Sequence, residues 1–140
     1  MTIDERLDSA RLALKYGLGL AAFLAGLDKF FDLLANWEGY VSPLVRAALP
    51  VGPTTFMHVV GIIEMAVGLA ILTRWTAAAS YVAMVWLVLI AANLVTTGRY
   101  FDVAVRDGLM AIAAYALARL TEVSAAASRV AEGRRLGAAA

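Results

Sequence analysis

Four long stretches of the chain are almost entirely apolar, and most of the polar residues lie between them. The stretches run over residues 12–34, 55–72, 76–97 and 102–120. A helix needs about 20 mostly apolar residues to cross the hydrocarbon core of a bilayer. The pattern therefore predicts an all-α, integral membrane bundle of four transmembrane helices, with residues 1–122 forming one domain.

The third stretch is the clearest of the four, and the fourth is the most ambiguous. The third has no charged residue. The uncharged part of the fourth, residues 108–118, is too short to span, so Arg106 and Asp107 must lie within the membrane thickness if this helix is fully inserted. The turns on either side of the third stretch are short, which predicts that neighbouring helices are antiparallel.

Two segments lie outside the predicted spans. The connection 35–54 contains all three prolines of the chain, so we expect irregular backbone there, with a short interfacial helix over residues 44–49. The tail 123–140 is rich in alanine and arginine. We expect it to be cytoplasmic and either to lie along anionic lipid head groups or to fray into solvent.

Composition agrees with a membrane location and excludes several kinds of chemistry. Hydrophobic residues make up 62% of the chain and charged residues 16%, against about 45–50% and about 25% in soluble domains. No basic stripe is present that would track a nucleic acid. Without cysteine, the chain alone cannot form a thiolate metal site or an iron–sulfur cluster. With His58 as its one histidine, it cannot hold a haem between two histidines, and we expect no metal site.

Positive charges predict the orientation, because cytoplasmic loops are enriched in lysine and arginine. With four spans, both termini and the 73–75 turn share one side of the membrane. The loops of the opposite side carry two positive residues, Arg46 and Arg99. The shared side carries eight, which predicts that both termini are cytoplasmic: Arg6, Arg11, Lys15, Arg74, Arg119, Arg129, Arg134 and Arg135.

Apart from Lys15 and Arg119 near the inner ends, the ionisable residues within the predicted spans gather in the outer half of the bundle. Each such group costs about 2.5–3.5 kcal/mol to insert, so these groups usually face the bundle interior or water. The positions predict a polar pocket between the helices. The candidate ligand-binding or proton-linked residues are Glu64, Lys29, Arg106, Asp107, Asp28, Asp102, Asn93 and His58.

Glu64 is the sharpest candidate, and two interpretations of it remain open. It shares a helix face with Gly61 and Gly68, a face that small residues make suitable for close packing. In the first interpretation its carboxyl accepts a proton or a hydrogen bond from a bound ligand. In the second it forms a buried ion pair with Lys29 or Arg106. The two interpretations are compatible.

The charged residues near the outer end of the bundle also have a structural and a ligand-binding interpretation. Asp102 and Arg106 have the i, i+4 spacing of a pair on one helix face. Asp107 points to a different side of that helix, where it can meet Lys29. These charges form either an ion-pair network between helices, or an anion or head-group site with Lys29 and Arg106 as its cationic wall.

The uncharged candidates have simpler interpretations. We expect His58 to lie at the interface and to hydrogen-bond the outer connection. Asn93 is expected to form a hydrogen bond between helices. Trp86, on the same helix face as Asn93, is expected to pack in the core, although it is also suited to floor a pocket for a flat ring. Gly17 and Gly26 in the first span are expected at helix contacts, like those on the Glu64 face.

Three of the predicted spans each contain a short sequence pattern. The first span ends in Gly-Leu-Asp-Lys-Phe at 26–30, the second carries Gly-x-x-Glu-x-x-x-Gly at 61–68, and the fourth begins Asp-x-x-x-Arg-Asp at 102–107. Their sequence, order and spacing resemble the DoxX/DoxD-like family of four-helix bacterial membrane proteins. The resemblance covers about residues 12–118.

The resemblance implies a location in the bacterial inner membrane and a role beside redox partners, since some members resemble the membrane subunit of a thiosulfate:quinone oxidoreductase. We therefore expect an accessory or quinone-handling subunit of an oxidoreductase complex rather than a self-sufficient enzyme. Such a subunit has no intrinsic cofactor, and quinone is its candidate ligand. The absence of cysteine argues against sulfur transfer by this chain.

Two other functions remain open from the sequence. The chain could be a small transporter or a lipid- or solute-binding protein, in which the polar cluster lines a path. It could also be a purely structural subunit whose charges only lock the helices together. In each case the expected partners are the lipid bilayer and other membrane or peripheral subunits, and self-association into a homo-oligomer is open.

Overall fold

A computed structural model describes residues 3–138 of the 140-residue chain, with side chains from residue 5 onward. Most of this part is helical, and no strand occurs within it. The prediction of an all-α chain is therefore confirmed for the described residues.

Four of the helices are long and apolar enough to cross a membrane, which makes the chain a multi-pass membrane protein. Two short helices lie in the connection between the first and second spans. The elements are α1 (Ile3–Asp28), a 3₁₀ helix (Trp37–Tyr40), α2 (Pro43–Ala48), α3 (Pro53–Leu72), α4 (Thr76–Thr96) and α5 (Phe101–Ala138).

The first spanning helix ends earlier than the hydropathy pattern predicts, at Asp28 instead of Leu34. Asp32 adopts a left-handed backbone conformation, with a φ of 52°, and such a residue cannot continue an α-helix. The backbone N–H groups of Leu33 and Leu34 donate to the Asp28 carboxylate instead of to helix carbonyls. The helix therefore stops because the side chain of its last residue takes up the next free donors.

The last spanning helix is longer than predicted. α5 continues without interruption from Phe101 to Ala138, so one helix crosses the predicted domain boundary between 122 and 123. Residues 123–138 are mostly exposed but remain helical, which agrees with their high alanine content because alanine has the strongest helix propensity. Residues 1–2 of the predicted domain and 139–140 of the predicted tail lie outside the described residues.

Large apolar side chains cover the outward faces of the spanning helices. Leu24, Ile62, Val88 and Ile112 each expose more than half of their surface. An apolar surface this extensive would be unfavourable in water, but acyl chains solvate it well. These faces therefore contact lipid.

Glycines set the distance between α1 and α3. A Cβ atom added at Gly26 would lie 2.5 Å from the Gly61 carbonyl oxygen, and one added at Gly68 would lie 2.6 Å from that of Gly19. The two backbones are therefore in direct contact at both places, as lipid-embedded helices with small residues allow. The predicted roles of Gly26, Gly61 and Gly68 are confirmed, whereas Gly17 has open space around it.

The two ends of the bundle differ in construction. We call the end with residues 29–52 and the 97–100 turn the loop end, and the end with residues 73–75 the turn end. At the turn end, Lys15 Nζ donates to the Thr73 carbonyl at 2.9 Å. The part of α1 before this contact projects beyond α3, where Ser124 Oγ of α5 donates to Asp8 at 3.3 Å.

Two apolar clusters form the core. The first lies among the spanning helices, and the second packs the connection against α3 and Trp86 of α4. The second cluster places the connection directly over the loop end of the bundle, next to the charged residues. Its buried members are Val41, Met57 and Val60, and those of the first are Leu18, Ile71, Ala79, Ala83, Ala114 and Leu117.

Replacing Gly26 with alanine should destabilise the bundle by about 1–3 kcal/mol, because the added methyl group forces two backbones apart. The matched control is Gly17→Ala in the same helix, which meets no atom within 4 Å and should be neutral or stabilising by up to about 1 kcal/mol. Unfolding in mixed detergent and dodecyl sulfate micelles, followed by far-UV circular dichroism, measures both. Equal effects in the two variants would contradict the proposed glycine contact.

Candidate functional site

Lys29 and Glu64 form a buried ion pair between the end of α1 and the middle of α3. Lys29 Nζ lies 2.5 Å from Glu64 Oε2, and the two side chains are only 4% and 10% exposed. The close approach of α1 and α3 at Gly26 and Gly61 brings the two residues together. The ion-pair interpretation of Glu64 is confirmed, with Lys29 as the partner and not Arg106.

Every donor direction of the Lys29 ammonium group has a partner. Besides Glu64, Nζ donates to the Ala25 carbonyl at 3.4 Å and lies 3.7 Å from the centre of the Trp37 ring. An ammonium group has three N–H donors, and the face of an indole ring attracts a cation. Lys29 is therefore fully engaged within the protein and is not available as the wall of an anion site.

Asp28 organises the backbone that follows α1. Its carboxylate accepts hydrogen bonds from the N–H groups of Leu33 at 3.1 Å and Leu34 at 2.8 Å, and from Trp37 Nε1 at 2.8 Å. The third bond holds the Trp37 ring over Lys29. Asp28 was a candidate ligand-binding residue, and in the structure it is an acceptor that three protein donors occupy.

Trp37 is the site residue that sequence reasoning missed as part of the cluster. It lies in the connection, outside the four predicted spans. Its indole N–H binds Asp28 while its ring covers Lys29, so it joins the connection to the ion pair. An ammonium group is attracted to the face of an indole ring, so a tryptophan in the loop that follows Lys29 was a usable signal.

Asp107 lies beside the ion pair but is only weakly paired. It is 7% exposed, close enough to interact electrostatically with Lys29 and Glu64. Its one ion pair is with the adjacent Arg106, at 3.6 Å, and the Arg106 side chain is 62% exposed. The predicted direct pair between Asp107 and Lys29 is absent from the described ion pairs.

The predicted pair of Asp102 and Arg106 is also wrong. Arg106 turns to Asp107 instead, and Asp102 lies exposed in the first turn of α5. Because Arg106 points largely out of the bundle, it cannot form a cationic wall with Lys29. The two cations proposed for one anion site therefore serve different carboxylates.

Asn93 and His58 have other partners than predicted. Asn93 Nδ2 donates to the Tyr40 carbonyl at 2.7 Å, and its Oδ1 accepts from the Ser42 N–H at 3.2 Å. It thus fastens the connection to α4 rather than joining two spanning helices. His58 stacks on the Phe30 ring, with centroids 4.6 Å apart and an interplanar angle of 12°, and no hydrogen bond from it to the connection is described.

Trp86 of α4 is a second tryptophan close to the Lys29–Glu64 ion pair. Its Nε1 is buried without a hydrogen bond of good geometry, although it lies near enough to act on the Glu64 carboxylate. A buried donor that lacks a partner is unfavourable in a lipid environment. Trp86 therefore supplies an unused N–H next to the ion pair.

Two cavities open on the surface of the described structure, and the predicted polar pocket around Glu64 coincides with neither. The first, of about 370 Å³, is an apolar cleft on α4 lined by Tyr81, Val82, Val85 and Trp86. The second, of about 360 Å³, lies at the loop end between the connection and the 97–100 turn. The Lys29 and Glu64 side chains themselves are mostly buried.

No protein-family model, curated protein or solved structure matches the chain. The resemblance to DoxX-like proteins therefore stays a prediction that rests on three short patterns, their order and their spacing. What the chain does must be inferred from the chemistry and packing of its own residues.

Replacing Glu64 with glutamine should destabilise the bundle by about 3–5 kcal/mol, because it leaves the Lys29 charge buried without its counter-charge. The double variant Lys29→Met, Glu64→Leu should recover most of this loss, since apolar residues often replace a buried pair at little cost. Detergent unfolding followed by circular dichroism measures all three proteins. A double variant as unstable as Glu64→Gln would show that the unpaired charge is not the cause.

Replacing Asp28 with alanine should release the backbone after α1. Each hydrogen bond to a charged acceptor contributes about 1.5–3 kcal/mol, so the amides of Leu33 and Leu34 should exchange at least about tenfold faster. Hydrogen–deuterium exchange of the peptide that contains them is the measurement. The control is Asp102→Ala, which removes an exposed carboxylate at the same end. Unchanged exchange in Asp28→Ala would contradict the role assigned to its carboxylate.

Proposed function

We propose that this chain is an accessory membrane subunit of a redox complex. In this role its buried charged residues, Lys29, Glu64 and Asp107, hold the helices in place. The observation that carries the accessory role is the buried Lys29–Glu64 pair, in which the lysine has a protein partner for every donor. Such a lysine has no donor left for a substrate. The redox part rests on the resemblance of the three patterns to DoxX-like proteins.

We further propose antiparallel helices in a bacterial inner membrane, with both termini cytoplasmic and the loop end outside. The contacts of Gly19 with Gly68 and of Gly26 with Gly61 support this, because position in α3 falls as position in α1 rises. The orientation rests on the excess of positive residues at the turn end and the termini, as the positive-inside rule requires.

A quinone-handling role is the second candidate, and Trp86 favours it. The Trp86 ring lines the apolar cleft on α4, while its unused N–H lies beside Glu64. A quinone that entered the cleft from the bilayer would meet Trp86 first, with Glu64 behind it and Asp107 close by. Lys29 and Arg106, which the sequence suggested as stabilisers of negative charge, are not placed for that task.

Transport has less support than either candidate. Both cavities lie at the surface, and the cluster that was expected to line a path is filled by the ion pair and the ring above it. Lipid or solute binding is compatible with the surface cavities.

Native mass spectrometry of the chain, gently solubilised from its own membranes, tests the proposal directly. We expect a complex that contains an oxidoreductase subunit in fixed ratio to the chain. A bare monomer or a homo-oligomer without any redox partner would contradict the redox role and would leave a structural or lipid-binding function.

The variant Glu64→Gln separates the accessory role from quinone handling. In the accessory role, the amount of assembled complex on a native gel falls, and quinone reduction per assembled complex stays unchanged. Full assembly with a large loss of quinone reduction would instead favour the second candidate. Asp102→Asn, which neutralises an exposed carboxylate at the same end, is the matched control and should change neither quantity.

A further inference from the structure

A cleft at the loop end lies between two segments that are far apart in sequence. We call it the loop-end cleft. Its volume is about 360 Å³, and it lies where α4 ends and α5 begins, at the boundary of the spanning helices. One wall comes from the connection and the other from the α4–α5 turn, and the lining residues are Gly39, Val41, Pro43, Arg46, Thr97, Arg99 and Tyr100.

Both positive residues in the loops of this end line the cleft. Arg46 and Arg99 are the two that the charge distribution leaves on this side, and each comes from a different wall. Neither appears in an ion pair with a carboxylate within the described structure, whereas Lys29 and Arg106 are each paired with one. The two arginines thus concentrate positive charge at one place.

The Arg46 side chain is held in position by the backbone. Its Nε donates to the Val41 carbonyl at 3.3 Å, and Nη2 donates to the Glu38 carbonyl at 2.7 Å. A guanidinium group has five N–H donors, so several remain free. The Glu38 carboxylate is turned to the Thr54 hydroxyl and does not neutralise Arg46.

The opposite wall is the 97–100 turn, whose last residue is Tyr100. Tyr100 adopts a left-handed conformation with a φ of 58°, which is unusual for an aromatic residue. Its ring packs edge-on against Tyr40, with centroids 4.7 Å apart, and a Cβ at Gly39 would lie 3.1 Å from its hydroxyl. Strained conformations of this kind persist where the surroundings fix them, and they concentrate at binding sites.

Arg99 belongs to the same turn, and the N–H donors of its guanidinium group have no hydrogen-bond acceptor in the described structure. Its guanidinium lies 5.6 Å from the Tyr100 ring centre, and its side chain donates no hydrogen bond within the described structure. The Thr97 hydroxyl accepts the Arg99 backbone N–H at 3.1 Å, which fixes the start of the side chain. The donors of Arg99 are therefore free to bind a ligand that enters the cleft.

We propose that the loop-end cleft binds a phosphate group through Arg46 and Arg99. The planar fork of arginine matches two oxygens of a phosphate and forms paired, charge-assisted hydrogen bonds with them. The phosphate belongs either to a phospholipid head group or to a dissolved anion, since the cleft lies at the end of the spanning helices. This site differs from the anion site expected at Lys29 and Arg106, and it does not depend on the redox role.

The test is a titration of the purified chain in detergent, followed by native mass spectrometry. Short-chain phosphatidylglycerol and inorganic phosphate are the two probes. Removing a charge-assisted contact should weaken binding about tenfold, so Arg46→Gln with Arg99→Gln should weaken it about 100-fold. Arg99→Gln alone tests the site without touching any hydrogen bond that holds the fold.

Arg74→Gln is the matched control. Arg74 also lies over a neighbouring aromatic ring, 5.5 Å from the centre of Trp75, but at the turn end. It changes the net charge by the same amount as Arg99→Gln and should leave binding unchanged.

The outcomes separate the two sources of phosphate. Binding of phosphatidylglycerol alone supports a head-group site, and competition by inorganic phosphate supports a site for a dissolved anion. The proposal is overturned if Arg99→Gln binds both probes as tightly as the natural chain, or if Arg74→Gln weakens binding to the same extent. It is equally overturned if the natural chain retains neither probe.

Discussion

Lys29 and Glu64 place opposite charges between two helices that lipid surrounds. A lone charge at that depth would be costly, so each residue depends on the other and on the contact that brings α1 to α3. The glycine contacts supply that proximity. The connection covers the ion pair, because the Asp28 carboxylate holds the Trp37 ring against the Lys29 ammonium group. Helix packing, loop conformation and charge pairing are therefore parts of one arrangement.

Lys29 is fully engaged by groups of the protein itself. A reactive lysine needs a free donor, and within the described structure Lys29 has none. Trp86 Nε1 and Asp107 lie beside the pair, and Arg46 and Arg99 line the cleft at the loop end.

Hydropathy predicted α3 and α4 almost to the residue, because an apolar run bounded by turns leaves few alternatives. It misplaced the end of α1, since that end depends on a side chain capturing backbone donors after Asp28. It could not decide whether an alanine-rich tail is helix or coil. The inward position of Glu64 followed from helix periodicity, but its partner did not, because Lys29 and Arg106 were both within reach. The covering role of Trp37 required knowledge of the loop path.

α5 has 38 residues and is therefore about 57 Å long at about 1.5 Å per residue, whereas a bilayer core is about 30 Å thick. Nearly half of the helix must extend beyond the hydrocarbon, and the helix has no break at which to bend. A change of tilt inside the bilayer would therefore swing its far end sideways through a wide arc.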